Sequence, residues 1–120
     1  RPGVASRNSS QASAAISKAE GAWKKGQYKV ALERYREALA ADPLSYPAAH
    51  GLANAYLKID PSRQGMRKAL ENFKIACALR PGAFSTFIKA GDLAEKLGLH
   101  SQAVDLFPGG SGRSRFGERG

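Results

Sequence analysis

The 120-residue sequence has one cysteine, Cys77, and two histidines, His50 and His100. A single thiol excludes an intrachain disulfide. Neither histidine stands near a cysteine or a carboxylate pair at ligand spacing, so no metal site is expected. Cys77 lies in the apolar stretch Lys74-Ile75-Ala76-Cys77-Ala78-Leu79, where a small buried hydrophobe is the expected role. Apolar runs are short, none approaching the ~18 residues that would cross a bilayer, and no secretory signal is visible. Phosphate loops of the Gly-x4-Gly-Lys-Ser/Thr kind are absent. Asp92 and Glu95 share a helix face, where carboxylates are ordinarily solvated. Neither a cofactor nor catalysis is expected. Few residues are β-branched while alanine is abundant, which favours helix over strand.

Acidic residues are also scarce: the formal charge is +9, and the first acid is Glu20. The excess is spread along the chain, with no dense basic block. Residues 1–19, rich in Ser, Ala and Arg, have the composition of a linker or of the end of an organelle transit peptide. An intracellular, chiefly cytoplasmic, placement is expected.

Local punctuation divides the chain. Residues 1–9 are expected to be unstructured, with Ser9 or Ser10 capping a first helix from Gln11 to Lys25 that Gly26 ends. A second helix spans Tyr28 to Ala41, with Tyr28, Ala31, Leu32, Tyr35, Ala38 and Leu39 on one face by steps of three and four. Asp42-Pro43 breaks it. Further helices are expected from Pro47 to about Lys58, Met66 to Leu79 and Phe84 to Leu97, with a loop over Ile59–Gly65. A short helix from Ser101 stops at Pro108-Gly109-Gly110. Residues 108–120, rich in Gly, Ser and Arg, read as a flexible tail.

These helices recur in pairs. One unit reads Gly26-x-Tyr28-x-x-Ala31-x-x-x-Tyr35-x-x-Ala38-x-x-x-x-Pro43, a second Ala69-x-x-x-Phe73-x-x-Ala76-x-x-x-x-Pro81, and a third begins with Gly98, Ala103 and Phe107. Leu52-Ala53-x-x-Tyr56 is echoed by Ala90-Gly91-x-x-Ala94 and more faintly by Lys18-Ala19-x-x-Ala22. The pattern resembles the tetratricopeptide repeat family, whose period is about 34 residues. The resemblance covers roughly Ala12 to Phe107 and implies an all-α, right-handed superhelical array of antiparallel helix pairs. The repeats would lie at about 12–45, 46–83 and 84–107, the last truncated, within a domain of 10–107. Small residues suit the helix crossings: Ala19, Ala53 and Gly91 against Ala31, Ala69 and Ala103. Tyr35, Phe73 and Phe107 would fill the spaces between helices. Pro43 and Pro81 stand 38 residues apart, and the excess over the period is expected in the loop around Ile59–Gln64.

The resemblance also implies a function. The first helices of such pairs line a concave groove in which partner peptides lie, so the chain is expected to be a protein–protein interaction scaffold. By position, the groove residues are Glu20, Lys24, His50, Asn54, Lys58, Ile88, Lys89 and Asp92. One subclass grips the terminal carboxylate of chaperone tails. Its positions here read Ile16, Glu20, Gly51, Ser85 and Lys89, of which only Lys89 has the right charge. The alternative is an RNA-associated repeat protein using Arg113-Ser114-Arg115-Phe116-Gly117, whose binding would fall steeply with salt. Helices 84–97 and 101–107 present Phe84, Phe87, Ile88, Leu93, Leu97, Val104, Leu106 and Phe107. With no capping helix after them, an open apolar edge prone to self-association is expected there.

Overall fold

The computed structural model describes residues 7–99. They form five helices: α1 (Ser9–Lys24), α2 (Tyr28–Ala41), α3 (Tyr46–Ile59), α4 (Arg63–Leu79) and α5 (Phe84–Lys96), with no strand among the described residues. Each helix packs on the next in sequence, and α1 reaches past α2 to touch α3. The result is the all-α array that the repeat pattern predicts: two complete helix pairs, then the first helix of a third. The expected helix from Ser101 and the tail at 108–120 lie outside the described residues.

Local chemistry sets the helix ends. Asn8, one residue ahead of the expected serines, caps α1 by accepting from the Gln11 N–H at 3.0 Å. Order therefore begins before residue 10. The Arg7 guanidinium forks onto Asp42, with Nε to Oδ1 at 2.8 Å and Nη2 to Oδ2 at 3.2 Å. The Asn8 N–H donates to the Ala41 carbonyl at 2.8 Å. Asp42 also accepts from the Leu44 N–H at 3.1 Å, so one carboxylate closes α2 and anchors the strand of chain that leads into α1. Ser45 caps α3 through the Ala48 N–H at 3.2 Å, with Pro47 in the first turn. Gly26 and Gly98 both take a φ of +79°, which side chains with a Cβ avoid, and both end a helix.

Alanine seams hold the crossings. Ala19 and Ala31 share one buried cluster with Leu32, Tyr35, Leu52 and Ala55. Ala53 and Ala69 share another with Leu70, Phe73, Cys77, Ala90, Leu93 and Leu97. All four seam alanines are fully buried, because a larger side chain would hold the helix axes apart. Cys77 is buried, as its apolar setting predicts, and burial pushes its thiol pKa up.

Two expectations are corrected. The expected loop at 59–65 shrinks to Asp60-Pro61-Ser62, because α4 starts at Arg63 and runs 17 residues against 14 for α2 and for α3. Most of the excess over the repeat period is therefore helix. Asp60 receives the Ser62 N–H at 3.0 Å. Gly65 lies so close to the Asp60 carbonyl that a Cβ has no room. The Arg63 Nη2 donates to the Leu97 carbonyl at 3.0 Å, tying the added turn to the end of α5. The second correction concerns the apolar edge. Leu93 and Leu97 point into the core beside Phe73, and Phe87 is half-buried against them. Of the described residues expected at that edge, only Phe84 and Ile88 are exposed, at 60% and 50%. Val104, Leu106 and Phe107 lie outside the described residues.

Candidate functional site

The first helices of the pairs contribute to one face of the array, and a hollow of about 400 Å³ opens there. Glu20 and Trp23 of α1, Tyr35 of α2, Tyr46, Pro47, His50, Gly51 and Asn54 of α3, and Arg80 just past α4 line it. Gly51 is needed at its floor, since a Cβ there would run into the Tyr35 ring. With only hydrogen at Gly51, the Tyr35 ring of the first pair lies flush against α3. Burial, and next the Glu20 carboxylate, push the Tyr35 phenol above its ordinary pKa.

An aromatic and polar cluster forms the other end. Tyr46 and His50, four residues apart on α3, stack with centroids 5.4 Å apart, and the His50 ring meets the edge of Phe73 at 5.8 Å. The Arg80 guanidinium lies 4.0 Å over the Tyr46 ring, a cation–π contact. The Tyr46 hydroxyl shares a 2.6 Å hydrogen bond with the buried Thr86 hydroxyl of α5. Asn54 Nδ2 stands 3.4 Å from His50 Nδ1, and Lys89 Nζ stands 3.5 Å from Asn54 Oδ1. Burial first, then the positive charges of Lys89 and Arg80, hold the His50 pKa below its ordinary value. Both effects favour the uncharged imidazole at His50.

Of the eight residues expected to line a groove, Glu20, His50 and Asn54 border the hollow and Lys89 joins through Asn54. The other four stand apart from it. Lys24, Ile88 and Asp92 are exposed, and Lys58 lies 5.0 Å over the Tyr28 ring, which in turn meets Trp23 edge-on at 5.0 Å. Sequence reasoning missed Tyr46, Arg80 and Thr86. The four-residue spacing of Tyr46 and His50 could have flagged that pair, because such residues share a helix face. Arg80 and Thr86 reach the site only through tertiary packing, which leaves no local signal. No group of three or more His, Cys, Asp or Glu gathers at metal-holding range among the described residues, and no described helix is long and apolar enough to cross a membrane. The basic segment 113–117, on which the RNA alternative rests, lies outside them.

Solved structures identify the architecture. The first TPR of Spaghetti (RPAP3), bound to the HSP90 peptide SRMEEVD, superposes with a TM-score of 0.69 at 20% identity, over 87% of this chain and 81% of that one. The fold is that of a tetratricopeptide-repeat domain. The second TPR of Spaghetti, bound to the same peptide, gives 0.66 at 27% identity over 82% and 91%. A mutant of MamA gives 0.65 at 20% identity over 79% and 66%. No protein-family model and no curated protein sequence matches the chain. In this tetratricopeptide frame α1/α2 and α3/α4 are two helix pairs, and the hollow lies on the face to which α1 and α3 contribute.

Proposed function

We propose that this domain is a protein-interaction scaffold, not an enzyme, and that it holds a segment of a partner protein across the hollow lined by α1, α2, α3 and Arg80. The observation that carries this reading is the make-up of the hollow. Aromatic side chains of Trp23, Tyr35 and Tyr46 line it together with a few polar groups, among them the acid Glu20 and the cation Arg80. Such a lining suits a peptide that offers an apolar side chain between polar ones. The two structural neighbours bound to a peptide lend support, since the fold can present a groove of this kind. The partner is not expected to be a chaperone tail, because Glu20 and Gly51 occupy clamp positions where a carboxylate needs donors.

Trp23 is the only tryptophan of the chain and borders the hollow, so its fluorescence reports occupancy. A panel of peptides varying in charge and apolar content should contain binders that perturb Trp23 and shift amide resonances along α1, α3 and the start of α5. The SRMEEVD peptide should bind more weakly than the best of the panel. Amide shifts confined to the exposed faces of α2 and α4, or none across the panel, would contradict the reading.

A further inference from the structure

The contacts of Asn54 favour one arrangement of donors and acceptors around His50. A lysine ammonium only donates, so Asn54 must turn its Oδ1 toward Lys89, 3.5 Å away. The amide nitrogen Nδ2 is then the group facing His50 Nδ1 at 3.4 Å, and it too only donates. His50 Nδ1 is therefore the bare acceptor nitrogen, and any proton the neutral ring carries sits on Nε2. Both contacts are long, so the relay is easily broken. A proton added at Nδ1 would meet the Asn54 donor head on.

Charge acts in the same direction. His50 is faced by Lys89 from α5, Arg80 from the end of α4, and the Phe73 ring edge from α4. Tyr46 and Asn54 of its own helix complete its surroundings, with Tyr35 and Glu20 across the hollow. Neither Arg80 nor Lys89 is ion-paired among the described residues. Two cations without ion-pair partners thus act on one imidazole: Arg80, in the lining of the hollow with His50 and Glu20, and Lys89, beside Asn54.

We propose that the Arg80–His50–Lys89 end of the hollow is a subsite for an acidic side chain of a bound peptide, and that filling it loads a proton onto His50. A carboxylate seated there draws the Lys89 ammonium away from Asn54 and screens both cations. Asn54 is then free to rotate its amide and offer Oδ1 to His50 Nδ1, which becomes a donor. The obstacles to the imidazolium are removed together, and the new carboxylate attracts it. Linkage fixes the sign. The imidazole pKa is higher in the complex than in the free protein, so binding takes up protons and tightens as pH falls from the bound-state value to the free-state value, levelling off below that. This deepens the peptide-scaffold reading and rests on it.

The test uses the full chain and two capped peptides, one with a central Glu-Glu pair and one with Gln-Gln, titrated calorimetrically in buffers of different ionisation enthalpy. The acidic peptide should bind more tightly, with an affinity gain of about three- to tenfold between about pH 8 and about pH 6, net proton uptake, and a long-range imidazole spectrum that changes from the Nε2–H tautomer to imidazolium. The Gln-Gln peptide should show neither. In His50→Gln the proton uptake and the pH slope should vanish, and Lys89→Gln should lose the preference for Glu. Acidic-peptide binding without proton uptake would overturn the inference and leave the scaffold reading intact. Equal binding of both peptides would do the same. Failure of every peptide to bind would overturn both.

Discussion

The two seams of the array are filled differently. Between α1, α2 and the start of α3 the fully buried side chains are alanines, and the largest residue, Tyr35, has one side on the open hollow. Between α3, α4 and α5 the space is filled by Phe73, completely buried, with Leu70, Leu93 and Leu97 around it. Close helix approach serves the first seam and side-chain volume the second. An alanine seam gains little from each residue and tolerates no enlargement. A phenylalanine-centred seam gains more and suffers most when emptied. The first seam also receives a polar fastening, the Arg7–Asp42 fork between the start of α1 and the end of α2.

Substitutions that empty or crowd the seams should separate them. Phe73→Ala should cost about 3–5 kcal/mol, the usual result of removing a large aromatic from a closed site. Tyr35→Ala should cost less, about 3 kcal/mol, because solvent in the hollow can fill part of the space. Denaturant melts of both variants check the order, and an equal or greater loss at Tyr35 would remove the contrast. Next comes Gly51→Ala, where the added methyl meets the Tyr35 ring. Crowding should outweigh the gain in helix propensity and leave a net loss of about 1–2 kcal/mol. The loss should shrink in a Tyr35→Leu background.

The smallest expected effect is at the fork. Arg7 depresses the Asp42 carboxyl pKa, chiefly through the hydrogen bond, while the Leu44 N–H adds to it. A depressed folded-state pKa means stability that is complete above the unfolded-state value, about 3.9, and is lost as pH falls below it toward the folded-state value. Arg7→Gln should therefore lower Tm slightly at neutral pH, and the two melting curves should converge in strong acid. A constant gap down through that range would mean that the contribution of Arg7 is not electrostatic.

Much of the fold was legible because repeat sequences state their packing locally. Ala31, Tyr35 and Ala38 sit where a 3.6-residue period places them, and Gly26 and Pro43 mark ends that depend only on neighbouring residues. The added turn of α4 was hidden because Pro61 reads as a loop residue, whereas it lies just before the cap of a helix stabilised by Gly65 against Asp60 and by Arg63 against Leu97. Both contacts depend on how the chain folds back. The candidate site was half legible for the same reason. Glu20, His50, Asn54 and Lys89 stand at positions that the repeat resemblance implies for a groove, but Arg80 reaches the site from a helix end and Thr86 through packing between repeats.

Arg63 holds the Leu97 carbonyl at one end of α5, and Tyr46 holds Thr86 near the other. A rod fastened at two separated points cannot pivot, so α5 should travel with α3 and α4 as one stiff block. Across the other joint the fit is steric: Tyr35 lies on bare Gly51, and Lys58 of α3 stands over the Tyr28 ring of α2.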